Sequence, residues 1–325
     1  MTDRALPADL AAAVELGGEM GRRFAQFDWA AHPLGPPRDW PVELRTTVAV
    51  ALTTRFPIVL WLGAKDLFLV YNDAYIPMLR DKHPAALGRP GRQVWWDIWD
   101  SIGPMLTGVL ETGTATWSDD LMLTFVNEQR YFTFSYSPLI GNDGAVQGIF
   151  CAVSETTERV LGQRRLQALN AAATAVMDCH TIADAVAAAI DACAAQPADL
   201  PFVAVYVDDP AAGDITLRGA TPAVLPMLPR SLAQLTDRAP ARSAVHVVDD
   251  LTAVIPGIEA AFGDDCPRQA MVVGLGAASA GGGLVIGTNP RRPLDRQYRG
   301  FCQLLAEQLS SALASAVSYD QQRQR

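Results

Sequence analysis

The sequence predicts an α+β chain of two domains, each an antiparallel sheet with flanking helices, joined by a helical linker. Three observations carry this reading. Phe132, Phe134 and Tyr136 alternate with Thr133, Ser135 and Ser137, the period of a strand with one buried face. Gly141-Asn142-Asp143-Gly144 tolerates left-handed backbone angles, so the chain can reverse there into a returning strand over Val146–Val153. All seven tryptophans lie between Trp29 and Trp117, so the composition changes between the two halves. With 325 residues, each half is long enough for its own core.

Past the hairpin, Glu155-Thr156-Thr157-Glu158-Arg159 leads into a helix that reads continuously from Arg159 to Met177. Along it Leu166, Leu169, Ala173 and Val176 have heptad spacing, which fits a coiled coil or a helix packed on its own domain. Ile182–Ala194 is a second, alanine-rich helix. Pro201–Val207 is a buried strand, Asp208–Gly213 a turn, and Ile215–Gly219 its partner. Asp295 sits at the start of the last helix, where a carboxylate favours the helix dipole. On that helix Cys302, Leu305, Leu309, Ala312, Ala316 and Tyr319 step by three, four, three, four and three, the better heptad of the chain.

The hairpin and the residues after it resemble the end of a PAS domain, with Glu155–Arg159 similar to the D-x-T-E-R exit signature and Glu in place of the first Asp. Phe56–Trp61 and Leu67–Tyr71 fit the opening PAS strands. Tyr71-Asn72-Asp73-Ala74-Tyr75 resembles the entry to the first PAS helix, with Asn72 suited to its N-cap. Phe27-Asp28-Trp29, Pro33–Pro37, Trp40-Pro41, Asp81–Pro90 and Asn289–Asp295 resemble the sensory region of large bacterial hybrid histidine kinases. In that group a PAS domain precedes a GAF domain and a kinase. The resemblance implies an N-terminal extension over 1–40, a PAS domain over 41–158, a linker helix over 159–178 and a GAF domain over 179–318. A signalling helix would run on to 325. The GAF likeness places strands at Ala244–Val248, Met271–Gly276 and Gly283–Gly287, around a Gly-rich turn.

Bulk properties narrow the function. A net charge of −9 argues against nonspecific nucleic-acid binding, which needs basic surface. No apolar stretch reads as a membrane span or signal peptide, so a cytoplasmic location is expected. The five cysteines (Cys151, Cys179, Cys193, Cys266 and Cys302) lack C-x-x-C spacing and read as reduced thiols.

The sequence carries no recognisable catalytic or cofactor motif. There is no phosphate loop, and no phosphoacceptor or ATP-binding domain of a kinase. No flavin-attacking cysteine motif occurs, and Cys179-His180 lies too early for a bilin site. Of His32, His83, His180 and His246, none lies in Gly103–Thr112, where resemblance to haem-binding PAS domains would require one. No three-ligand metal spacing is present. No cofactor and no catalytic residue is therefore predicted. A remote enzymatic alternative is a GAF-fold methionine sulfoxide reductase using Cys179, Cys193, Cys266 or Cys302.

The expected role is a sensory module that relays a signal through helices to a downstream kinase. Alternatives are another output, such as a phosphatase or cyclase, or a ligand-free interaction scaffold. Since PAS domains bind ligands between sheet and helices, Trp61, Tyr75, Trp99 and Phe134 are the pocket candidates for a small molecule. A homodimer is expected, with Leu305, Leu309, Ala312 and Ala316 in its seam. On that reading Leu309→Glu converts dimer to monomer.

Overall fold

The computed structural model describes residues 6–126, 128–236, 241, 243–276 and 281–323. The chain divides into two compact units, Met1–Val160 and Leu161–Arg325. Each is built on a five-stranded antiparallel sheet, so the predicted α+β class holds.

In the first unit, helices α1 (Ala8–Leu16), α2 (Gly18–Gln26) and α3 (Val42–Thr53) precede strands β1 (Ile58–Leu62) and β2 (Phe68–Tyr71). Short helices α4 (Ile76–Leu79) and α5 (Gly91–Val94) and the longer α6 (Trp99–Thr112) follow, then β3 (Thr116–Thr124), β4 (Gln129–Ile140) and β5 (Val146–Glu155). The strand order is β2-β1-β5-β4-β3. The alternation read in the sequence is present in β4, where Phe132, Phe134 and Tyr136 are buried and their neighbours half-buried. Gly144 turns the β4–β5 hairpin at φ +77°, a conformation that side chains disfavour.

Strands β1 and β2 break the alternation because both their faces are covered. Their outer residues, such as Leu60 and Val70, share a core with Leu10, Met20, Phe24 and Val48 of the first three helices. Two side chains hold this N-terminal layer to the sheet. The Asp73 carboxylate accepts from Glu19 N (2.9 Å) and Met20 N (2.7 Å), capping α2 from outside the helix. Asn72 caps the turn after β2 by accepting from Tyr75 N, as its sequence context predicts, and also accepts from Ile58 N. Its amide donates to the carbonyls of Thr54 and Phe56. The free edge of β2 is bonded by a loop, through Gly88 N to Leu69 O (2.8 Å), Leu69 N to Arg89 O (3.0 Å) and Gly91 N to Leu67 O (2.9 Å).

Helix α7 (Thr157–Val176) leaves the first sheet and continues into the second unit, where α8 (Ile182–Ala194) spans the residues predicted for it. There follow β6 (Val203–Asp209), β7 (Asp214–Ala220), β8 (Val245–Val248), α9 (Leu251–Val254), α10 (Ile258–Phe262), β9 (Ala270–Leu275), β10 (Gly282–Gly287) and α11 (Arg296–Arg323). The order is β7-β6-β10-β9-β8. Strands β9 and β10, and β6 as far as Val207, are apolar throughout because helices cover one face and loops with α9 and α10 the other. The Gly-rich turn at 277–280 lies outside the described residues.

One helical expectation is corrected. Leu305, Leu309 and Ala316 on α11 are buried within the second unit's own core, and Ala312 packs against it. They therefore do not form an open dimer seam. A stripe at three-and-four spacing suits packing on a sheet as well as a coiled coil, and here the sheet occupies it. On α7 the inward residues are Leu161, Arg165, Ala168, Ala172 and Val176, so of the predicted heptad only Val176 is buried. Leu166 is exposed, and Leu169 and Ala173 are half-buried.

Candidate functional site

The inner face of the first sheet presents Trp61 from β1, Phe134 and Tyr136 from β4, and Cys151 from β5. Opposite stand Tyr75 and Met78, with Trp95 and Ile98 from the turn that joins α5 to α6. Between them lies a cavity of about 40 Å³, with every lining residue buried. That is room for about three water molecules. Its position depends on Gly91, where a Cβ would fall 2.2 Å from Trp61 Cζ3, so only glycine lets the indole lie there. The contact is with the edge of the indole opposite its N–H. Trp61 also meets Tyr136 edge to face, ring centroids 6.0 Å apart.

The cavity's polar atoms are unusual. The indole nitrogen of Trp61 is buried without a hydrogen-bond partner, whereas that of Trp95 stands against the Tyr75 hydroxyl, towards which it donates. A buried donor left unpaired costs about 1–3 kcal/mol. Burial pushes the Tyr75 and Tyr136 hydroxyls and the Cys151 thiol well above their ordinary ionisation ranges, so all three stay protonated.

Charge is kept outside the aromatic walls. Lys82 Nζ stands 4.3 Å from the Trp95 ring centroid and is paired with Asp97 at 2.7 Å. The buried Arg130 guanidinium lies over Phe125 (5.3 Å) and Phe132 (5.0 Å), two further wall residues. It donates to Met78 O (3.2 Å) and makes a two-pronged pair with Glu155. Burial raises the Glu155 carboxyl, but its bonds to Arg130 outweigh this and leave it below the ordinary value.

Glu155 begins the segment that starts α7, so the cavity wall is tied to the exit helix. Thr157 Oγ1 donates to Glu155 (2.9 Å) and accepts from Tyr131 N (3.0 Å). A second grip comes from β3, where a register shift between Ser118 and Leu121 leaves Asp120 at φ +48°. From this bulge its carboxylate accepts from Thr156 Oγ1 (2.6 Å) and pairs with Arg159. The Thr156 bond first, and then Arg159, hold the Asp120 carboxyl below its usual range.

Of the predicted pocket residues, Trp61, Tyr75 and Phe134 come together in the lining. Trp99 does not. It is half-buried at the start of α6, and its indole lies along its own helix, 2.7 Å from where a Cβ on Gly103 would be. Trp95 takes the wall position instead. Sequence reasoning missed Arg130 and Asp120. An arginine leading a strand of alternating aromatics, and an Asp119-Asp120 pair inside a strand, were the available signals.

The histidines and the remaining cysteines show no shared site. His83 joins Tyr71 and Glu19 at 3.0 Å each, His180 stacks on Tyr319, and His246 is exposed. Among the described residues no group of three His, Cys, Asp or Glu is placed to hold a metal. A thiol nucleophile requires a lowered pKa. Instead burial pushes Cys193 up to about 12 and also raises Cys179, Cys266 and Cys302. No helix among the described residues is long and apolar enough to cross a membrane.

Comparison with known proteins agrees with the first sheet. A family described as the PAS fold matches residues 64–161. No curated protein matches the chain. Among solved structures, a GAF domain from an Acinetobacter phosphoenolpyruvate-protein phosphotransferase is similar at 15% identity and TM-score 0.36, covering 47% of this chain and 94% of that one. The Stigmatella aurantiaca phytochrome photosensory core module is 14% identical at TM-score 0.37, covering 83% of this chain and 59% of that one. The PAS domain of Bordetella pertussis BvgS is 21% identical at TM-score 0.32, covering 40% and 98%. At these identities and scores the structural likenesses carry no functional information. The site's own geometry and the PAS-fold match bear the argument.

Proposed function

We propose that this chain is the sensory part of a bacterial signal-transduction protein. A PAS unit is followed by a GAF unit, and the output is a histidine kinase of the two-component type. The observation that supports this best is the path from cavity to helix. The wall residues Phe125 and Phe132 carry Arg130, Arg130 holds Glu155, and Glu155 stands at the root of α7. A molecule that shifts the wall changes the Arg130–Glu155 geometry and with it the first turn of the helix. The equilibrium moves only as far as the ligand's differential affinity for the two states.

The protein works as a cytoplasmic homodimer on this reading. With Leu305 and Leu309 taken by the second core and Ala316 buried, this reading gives a parallel helix pair to the exposed Leu166 and half-buried Leu169 of α7. Leu166→Glu then shifts sedimentation from dimer to monomer.

Hydrogen exchange on Glu155→Gln tests the relay. The Arg130 bonds weaken, and amides 157–162 exchange about tenfold faster while those of 133–137 keep their protection. Equal exchange in variant and parent sinks the relay. Native mass spectrometry and an absorption spectrum of the purified chain show whether it carries a bound molecule.

A further inference from the structure

The geometry points to a partner-exchange switch in the second unit. Asp199 is a fixed counter-ion shared by the adjacent Arg164 and Arg165 of α7, and its passage from one to the other moves the first turn of α11. This rests on the reading of α7 as the relay helix and adds the point at which its movement reaches the last helix.

Asp199 sits on a pinned loop. It is 2% exposed, in the connection between α8 and β6. Its backbone carbonyl accepts from the Tyr298 hydroxyl, and the carbonyl of Ala198 accepts from Asn289 Nδ2 (2.7 Å). Asn289 opens the Asn289–Asp295 segment, and Asp295 at its end caps α11 by accepting from Tyr298 N (2.7 Å). The loop is thereby tied to the root of α11, and α7 is the element laid against both.

Two guanidinium groups face this one carboxylate. Arg164 Nε donates to Oδ2. Arg165 Nε stands 3.7 Å from Oδ1, too far for a hydrogen bond, and both of these atoms are buried with no partner. Arg165 instead lies over the rings of Tyr298 (4.7 Å) and Phe301 (5.9 Å), in the first two turns of α11. A buried ionised donor and acceptor left this close without bonding mark a second arrangement, reached by a shift of about 1 Å or less.

The helix makes the two arrangements alternatives. Successive side chains leave an α-helix about 100° apart, so a turn of α7 that brings Arg165 onto Oδ1 draws Arg164 off Oδ2. Arg164, with 23% of its side chain exposed, then meets solvent, while Arg165, at 8%, leaves the Tyr298 ring for the carboxylate. No charge is stranded in either arrangement. The other inward residues of α7, Leu161, Ala168, Ala172 and Val176, are aliphatic and form no directional side-chain bond that would oppose the turn.

Hydrogen exchange and NMR on the full chain test the switch with Arg164→Gln and Arg165→Gln. In Arg164→Gln the carboxylate passes to Arg165, whose Nε–H should exchange about tenfold more slowly than in the parent. In Arg165→Gln the Arg164 pair is locked. Amide shifts of residues 298–302 should then fall on one line, with the two variants displaced from the parent in opposite directions. No slowing at Arg165, or displacement of both variants in the same direction, would overturn the switch, because a purely structural pair is loosened by either change. If a variant does not fold, the parent decides. Its Arg164 and Arg165 Nε–H groups should show one shared rate in relaxation dispersion, and flat or unrelated profiles would count against the switch. Glu155→Gln separates the switch from the relay. Displacement along the same line supports both, whereas no displacement, with the arginine results intact, sinks the relay and leaves the switch standing.

Discussion

The two sheets share one strand order, with the second strand of each unit at the edge, then the first, fifth, fourth and third. They are filled in different ways. The first sets rings that carry polar atoms, Trp61 and Tyr136 on the sheet and Tyr75 opposite, around room for a few waters and the unpartnered indole N–H of Trp61. The second packs Val203, Val205, Leu284 and Ile286 under α8 and α11. A gap of about 10 Å³ there admits about one water beside the unpartnered Oε1 of Gln308. Topology is common to both, so the difference between the two units lies in the side chains on the covered face.

The sharpest way to separate the two is to break one and watch the other. Leu309→Glu buries a carboxylate in the aliphatic core and should cost about 4 kcal/mol or more, enough to unfold the second unit. The tryptophans all lie in the first half, so tryptophan fluorescence should hardly change while helical circular dichroism falls. A stably folded monomer from this variant would reverse the correction made to α11.

Arg130→Met comes next. It leaves Glu155, with 30% of its side chain exposed, beside a lost partner, and should lower the first unit's stability by about 2–3 kcal/mol in urea. A loss below about 0.5 kcal/mol would show that the pair is not held as tightly as its burial implies. Gly91→Ala drives a methyl into the Trp61 ring and should cost about 1–3 kcal/mol, with a changed near-ultraviolet tryptophan spectrum. An unchanged spectrum would mean that the wall yields elsewhere.

The smallest effect is one of pH. The carboxyls of Asp120 and Glu155 are both depressed in the folded chain, so their contribution is complete above the ordinary carboxylate range and is lost as pH falls through the folded values. Amides at the start of α7 should lose protection below about pH 4 before the strands do, and Asp120→Asn should flatten that response. In the second unit the depressed Asp250 carboxyl accepts from Ala253 N at the root of α9, so an acid step there should be confined to that short helix and spare α8 and α11.

Much of this architecture was legible because it rests on short-range periodicity. The β4–β5 hairpin, the Asn72 cap and α8 each follow from neighbouring residues that agree with one another. Strand β3 was not read, since the bulge at Asp120 breaks its alternation. The pocket was placed in part. Trp61, Tyr75 and Phe134 were found, but Trp95, Trp96 and Trp99 are told apart only by where α5 stops and α6 starts. Burial of Arg130 depends on Glu155, 25 residues away, and no local pattern shows it. The α11 stripe was visible, but its partner was not, because a sheet and a second helix demand the same spacing.

The loop bonded along β2 has a further consequence. An open strand edge is a template on which other chains can add, and proteins guard such edges. Here the guard and the cavity share a residue, since Gly91 both donates to Leu67 O and lies beneath the Trp61 ring. A variant that displaces Gly91 to enlarge the cavity would also loosen the guard, so resistance to self-assembly limits how far this wall can be opened.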